Sequence, residues 1–271
     1  VSADPGRNGW KPHLVALDVD GTMLPYGNFF GAPNAAVIDV VREIRDAGMH
    51  VVVATGRSLH STYGIFDALE LDEGYAVCSN GAVVVDVASR TPIDVVTFDA
   101  LEPVRFFAEQ LPDAILAVEE LGVGFRITGS NVDFEFDGAV EVVDHDDLVQ
   151  GPVTRLVVRW HEGDRERLRD IAAEMGLPAV DYAIGYTAWL DIMPSGVTKA
   201  SGLDKIGFRL GVGADRVIAF GDGHNDLEML QWAGWGVAMG NAPDDVQAVA
   251  NEVAPHVDED GVAVVMRRYL P

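Results

Sequence analysis

The sequence predicts an α/β protein in which a parallel-sheet core is interrupted by an inserted α+β segment. Three observations carry this expectation. A strand, helix and strand follow one another over residues 14–57, alternating apolar segments replace that texture over about 83–181, and strand-turn-helix texture returns from residue 189 onward.

The first element is the stretch LVALDVDGT. An apolar run, Leu14 to Leu17, ends in two aspartates one residue apart, Asp18 and Asp20, before a Gly-Thr turn. That reads as a buried strand delivering carboxylates at its C-terminal end, the edge of an open α/β sheet where ligands bind. A loop rich in Gly, Pro and aromatics leads to a helix over 34–47, whose apolar positions Val37, Ile38, Val41 and Ile44 keep a helical period up to Gly48. HVVVATGR is a second strand ending in Thr55, Gly56 and Arg57, and the crossover makes it parallel to the first. A helix over 58–69 then precedes YAVCSNGA, a short apolar run ending in Asn80 and Gly81.

In the inserted segment, VVVDVA, IDVVTFD, ILAVEE, GFRIT, VEVVD and TRLVVRW read as antiparallel strands, with helices over 102–111 and 164–175. The chain returns through WLDIMPSGVTKASGL, with Lys199 opening a helix, and RVIAFGDGHNDLEML, a strand, Gly-Asp-Gly turn and helix. GVAMGNA, a helix near 244–250 and a closing helix in DEDGVAVVMRRYL complete the chain. The domain boundaries that follow are a flexible leader over 1–12, a core over 13–83 and 189–271, and an inserted domain over 84–188.

The 271 residues carry 43 acidic and 19 basic side chains, a formal net charge of -24, and only Lys11, Lys199 and Lys205 are lysines. A field of that sign disfavours nucleic acid and anionic membrane as partners. A phosphate site must then be made locally positive, which screening over about 8 Å permits. With one cysteine, Cys78, no intrachain disulfide can form, and no run reaches the roughly 18 apolar residues of a membrane span. A soluble cytoplasmic protein is expected.

Four separated segments converge on one sheet edge: Asp18 with Asp20, Thr55, Lys199, and Asp222 with Asn225 and Asp226. A carboxylate pair, a hydroxyl, an ammonium and a second carboxylate cluster are the components of metal-assisted phosphoryl transfer, with a hard divalent cation between the acids. Each piece alone is weak, and their joint occurrence in this order is strong.

These motifs, DVDGT, ATGR, SNGA, GVTKASGL and GDGHNDLEML, together with VAMGNA and DEDGVA, resemble the haloacid dehalogenase (HAD) superfamily and, within it, the Cof-like phosphatases. The resemblance covers nearly the whole chain from Leu14. It implies a Rossmann-like core, an inserted α+β cap domain that sets substrate specificity, and a magnesium-dependent phosphatase acting on small phosphorylated metabolites such as sugar phosphates. By the same resemblance Asp18 is the nucleophile and Asp20 the general acid and base. Thr55 and Lys199 hold the transferring phosphoryl group. Thr55, Gly56, Arg57, Asn80, Lys199 and Asn225 form the substrate-binding set. Magnesium is expected at Asp18, Asp222 and the backbone carbonyl of Asp20, with Asn225 and Asp226 completing or orienting the shell.

Structural alternatives stand beside these roles. Thr55 and Asn225 also suit helix caps, and Asp226 a first-turn acid. Arg57 suits an ion pair with an acidic neighbour as well as a phosphate contact, Asn80 and Gly81 suit a simple turn, and His224 reads as a loop residue. Glu119, Arg126, Tyr186 and Trp189 are candidates for substrate recognition by the cap, with Trp189 also suited to packing. Two other functions compete: a phosphomutase or phosphotransferase using the same aspartyl-phosphate, and a noncatalytic binding module.

Overall fold

The computed structural model describes residues 9–28, 31–129, 136–161, 163–176, 180–184 and 188–270, with residues 180–184 described by their backbone. The chain divides into two compact units. The first runs to Arg57, then covers Thr62–Ile93 and everything from Thr198; the second comprises Ser58–Ser61 and Asp94–Val197.

The first half of the first unit begins with β1 (Leu14–Leu17), α1 (Ala35–Asp46), β2 (His50–Ala54), α2 (Leu59–Ala68) and β3 (Tyr75–Cys78). Apolar spacing accounts for α1, which buries Val37, Val40, Val41 and Ile44 along one face. β4 (Val83–Asp86) and β5 (Thr91–Val95) follow. Their alternation places them with the inserted segment, but they extend the eight-stranded sheet beyond β3 instead.

The second unit contains α3 (Leu101–Gln110), β6 (Ile115–Glu120), β7 (Gly124–Thr128), β8 (Ala139–Val143), β9 (Leu156–Arg159), α4 (Arg165–Met175), β10 (Val180–Ile184) and β11 (Trp189–Pro194). Its six-stranded sheet has the order β10-β11-β9-β6-β7-β8. Leu116, Val118, Leu156, Val158, Leu190 and Ile192 form a core with Val104 and Phe107 of α3 and Leu168 and Ile171 of α4. Asp164 caps α4 by accepting the Arg167 N–H at 2.8 Å. The expectation of antiparallel pairing is corrected at one place, since β7 and β8 run parallel. Alternation reports which residues face a core, not the direction of the neighbouring strand.

The chain then completes the first unit with α5 (Lys199–Leu210), β12 (Val217–Gly221), α6 (Leu227–Trp232), β13 (Trp235–Ala238), α7 (Asp244–Val249), β14 (Glu252–Val253) and α8 (Gly261–Met266). The sheet order is β14-β13-β12-β1-β2-β3-β4-β5. β1 lies between β12 and β2, parallel to both, with Leu17 opposite Phe220 and Val53. Every residue of β1 and β12 is buried, as expected for central parallel strands covered on both faces. Leu14, Ala16, Val52, Ala54, Val217 and Ala219 pack with Leu203 and Ile206 of α5. This architecture is a Rossmann-like α/β core with an inserted α+β unit. It aligns the C-terminal ends of β1, β2 and β12 along one edge.

Candidate active site

The central candidate side chains sit at the ends or starts of elements. Asp18 succeeds β1 and Thr55 succeeds β2; Asp222 succeeds β12, and Lys199 is the first residue of α5. Thr198 starts that helix, accepting the Ser201 N–H at 3.2 Å, while Ser201 Oγ accepts the Thr198 N–H at 3.0 Å. The reciprocal cap sets the exit direction of Lys199.

Lys199 is 1% exposed, and its Nζ lies 2.6 Å from Asp18 Oδ1 and 2.6 Å from Asp226 Oδ1. Asp226 uses its other oxygen to accept the N–H groups of Asp222 and Gly223, each at 2.9 Å, which closes the turn after β12. Asp222 Oδ2 accepts from Tyr26 Oη at 2.7 Å and Asn241 Nδ2 at 3.3 Å, and its Oδ1 lies 3.4 Å from Thr22 Oγ1. Oxygens of Asp18, Asp222 and Asp226 all lie within 4.8 Å of one another, and all three residues are buried. One ammonium therefore faces three carboxylates.

Electrostatics follow from that imbalance. Burial, and then the nearby charge of Asp226, raise the Asp18 pKa well above the ordinary carboxylate range, against the pull of Lys199. Asp222 is raised to about 7, chiefly by burial and then by Asp226, against hydrogen bonding from Tyr26 and the charge of Lys199. Burial opposes the charge on Lys199, but attraction to Asp18 and Asp226 outweighs it and raises its pKa. A cluster of hard oxygen donors with surplus negative charge fits a hard divalent cation.

The remaining expected residues lie as follows. The Asp20 carboxylate is held by Arg57, Nε to Oδ2 at 2.8 Å and Nη2 to Oδ1 at 2.6 Å, apart from the trio of buried acids. Thr55 Oγ1 accepts the Arg57 N–H at 3.0 Å. Asn225 Nδ2 donates to Asn80 Oδ1 at 2.9 Å, joining the loops after β12 and β3. A Cβ on Gly56 would come within 2.9 Å of that same Asn80 oxygen. His224 pairs with exposed Asp245 at 2.9 Å, away from the trio's hydrogen bonds.

In the second unit, Glu119 is buried, accepting from Leu59 N–H at 3.0 Å and Thr154 Oγ1 at 3.1 Å. Arg126 pairs with Glu120 at 2.8 Å and Glu141 at 3.2 Å. Trp189 stacks near Phe136, ring centres 5.4 Å apart. Tyr186 lies outside the described residues. Sequence reasoning did not single out Thr22, Tyr26 or Asn241 around Asp222, although Thr22 and Asn241 sit inside DVDGT and VAMGNA. Tyr26 has no such signal.

A Rossmann-like core with an inserted α+β unit and carboxylates at the ends of β1 and β12 defines the HAD fold. Residues 15–266 match the family described as haloacid dehalogenase-like hydrolase. The chain is 31% identical to 5-amino-6-(5-phospho-D-ribitylamino)uracil phosphatase YitU of Bacillus subtilis, over 96% of this chain and 98% of that one. It is 28% identical to pyridoxal phosphate phosphatase YbhA of Escherichia coli, over 95% and 98% of the two chains. Among solved structures, the HAD-superfamily phosphatase BT1666 of Bacteroides thetaiotaomicron superposes with a TM-score of 0.79 at 26% identity, covering 96% of this chain and 95% of that one. The chain belongs to the haloacid dehalogenase-like hydrolases, and within them to the Cof-like phosphatases. No helix among the described residues is long and apolar enough to cross a membrane.

Proposed function

We propose that this phosphatase is magnesium-dependent and hydrolyses small phosphorylated metabolites, sugar phosphates and related phosphomonoesters, through a phosphorylated Asp18. The observation that carries the reading is the buried Lys199 between Asp18 and Asp226, with Asp222 beside them. The names of YitU and YbhA, both phosphatases of small organic phosphate esters, support the same substrate class.

Lys199 holds Asp18 through Oδ1, leaving Oδ2 to attack phosphorus. The new bond runs from Asp18 oxygen to phosphorus, and the bond to the ester oxygen breaks. Asp20 gives its proton to that departing oxygen. Water then attacks the phosphorus of phosphorylated Asp18 and yields a proton to the Asp20 carboxylate, and the Asp18 oxygen leaves to release phosphate. Arg57 contacts both oxygens of Asp20 and so positions this side chain for proton exchange with the leaving group and with water. Thr55 and Lys199 bind the phosphoryl oxygens, with Gly56, Arg57, Asn80 and Asn225 in the same substrate-binding set. Asp18, Asp222 and the Asp20 carbonyl would hold magnesium, with Asp226 and Asn225 orienting them. When bound, the metal supplies positive charge that lowers repulsion between the nucleophile and the phosphate. The second unit acts as the cap that selects the leaving group.

The test is phosphate release from a panel of phosphorylated sugars, nucleotides and an aryl phosphate, with and without magnesium, for the wild type and Asp18→Asn. Metal-dependent release lost in the variant is expected. Release at the wild-type rate from Asp18→Asn removes the assigned nucleophile, and product formation without free phosphate favours transfer to an acceptor hydroxyl.

A further inference from the structure

Asp222 is gripped by a side chain from the loop after β1. We infer that Tyr26 is a positioning residue for the cation site: its hydroxyl fixes the Asp222 carboxylate in the orientation that magnesium binding requires. This rests on the reading of Asp222 as a metal ligand. Tyr26 bonds to that carboxylate at 2.7 Å, shorter than the 3.3 Å of Asn241 and the 3.4 Å of Thr22.

The local backbone is built around this contact. Gly21 has φ 83°, and a Cβ there would lie 2.2 Å from Asp222 Oδ2 and 2.5 Å from Tyr26 Cε2. The missing side chain opens the space in which the carboxylate and the tyrosine ring meet. Asn241 fastens the same turn, donating to the Gly21 carbonyl at 2.8 Å while its own Oδ1 accepts the Val257 N–H at 3.0 Å.

Three buried carboxylates within 4.8 Å repel one another, and an unrestrained Asp222 would rotate away from Asp18 and Asp226. Tyr26 and Asn241 converge on Oδ2 and oppose that rotation, so the donor set is arranged before a cation arrives. A neutral phenol does this without adding a positive charge that would compete with the metal for the carboxylates.

The experiment is calorimetric titration of magnesium into the metal-free protein, without substrate, for the wild type, Tyr26→Phe and Asp222→Asn, with the metal-free melting temperature of each. Tyr26→Phe keeps the ring and removes one hydroxyl. The expected result is magnesium affinity weakened about tenfold at a nearly unchanged metal-free melting temperature. Wild-type affinity in Tyr26→Phe overturns the positioning role, with or without a lower melting temperature. Tighter binding overturns it as well, because the hydroxyl would then be a competitor of the cation. Wild-type affinity in Asp222→Asn removes Asp222 from the metal site, a separate failure that reaches the underlying reading.

Discussion

Lys199 is one of three lysines in a chain with 43 acidic residues, and it is buried against two of those acids. Its position was legible because a scarce cation opening a helix stands out against an acidic background. The Asp20–Arg57 pair was not legible as a pair, since Arg57 offered two plausible partners and only geometry chooses between them. The pair leads to a prediction about chemistry. Arg57→Ala is expected to slow hydrolysis of an alkyl phosphate by about tenfold or more, because Asp20 loses the partner that positions it, while slowing p-nitrophenyl phosphate less, because nitrophenolate leaves without needing a proton. Steady-state rates on the two esters check this. Equal losses on both would mean that the guanidinium acts in substrate binding alone and not through Asp20.

Between strand ends, short turns carry the strain. Ser79, Asn80 and Gly81 have φ of 49°, 53° and 108° in succession, which swings the chain out of β3 and presents Asn80 to Asn225. A Cβ on Gly81 would sit 2.1 Å from the Thr198 carbonyl oxygen, and Thr198 is the cap of the helix that begins with Lys199. Gly81→Ala is therefore expected to cost about 1–3 kcal/mol of stability and to displace Lys199, lowering activity further than the stability loss accounts for. Urea unfolding beside phosphate release measures both effects. Elements with long apolar runs or clear caps, such as β1, α1, α4 and α5, were readable from local pattern. The two-residue β14 was not, because so short a pairing carries no periodicity.

For the molecule as a whole, the buried acids couple stability to pH and to metal. Asp222 has a pKa of about 7 when folded, against an ordinary value of 3.8, so between those values the folded state holds a proton that the unfolded chain has lost. Its stabilising contribution is fully present below the unfolded value and is lost as pH rises through 7; burial of Asp18 acts in the same direction. Metal-free protein is thus expected to gain stability on going from pH 7.5 to pH 5.5 through this cluster. Magnesium should raise the melting temperature more at pH 7.5, where protons compete less for Asp222 than at pH 5.5. Thermal melts with chelator and with magnesium at the two pH values check both signs, and a larger magnesium effect at pH 5.5 would contradict the cluster as the metal site.

By itself the sequence determined the α/β class, the parallel crossover at β1 and β2, the family, and the stations of Asp18, Thr55, Lys199 and Asp222 at element ends. Those features depend on local periodicity and on residue types that directly follow an apolar run. Only the tertiary structure decided that β4 and β5 extend the core sheet, that β8 runs parallel to β7, and that Tyr26 and Asn241 grip Asp222. Strand neighbours and side-chain partners are choices among many residues distant in sequence, and a segment's own pattern records which face is buried without recording what lies against it.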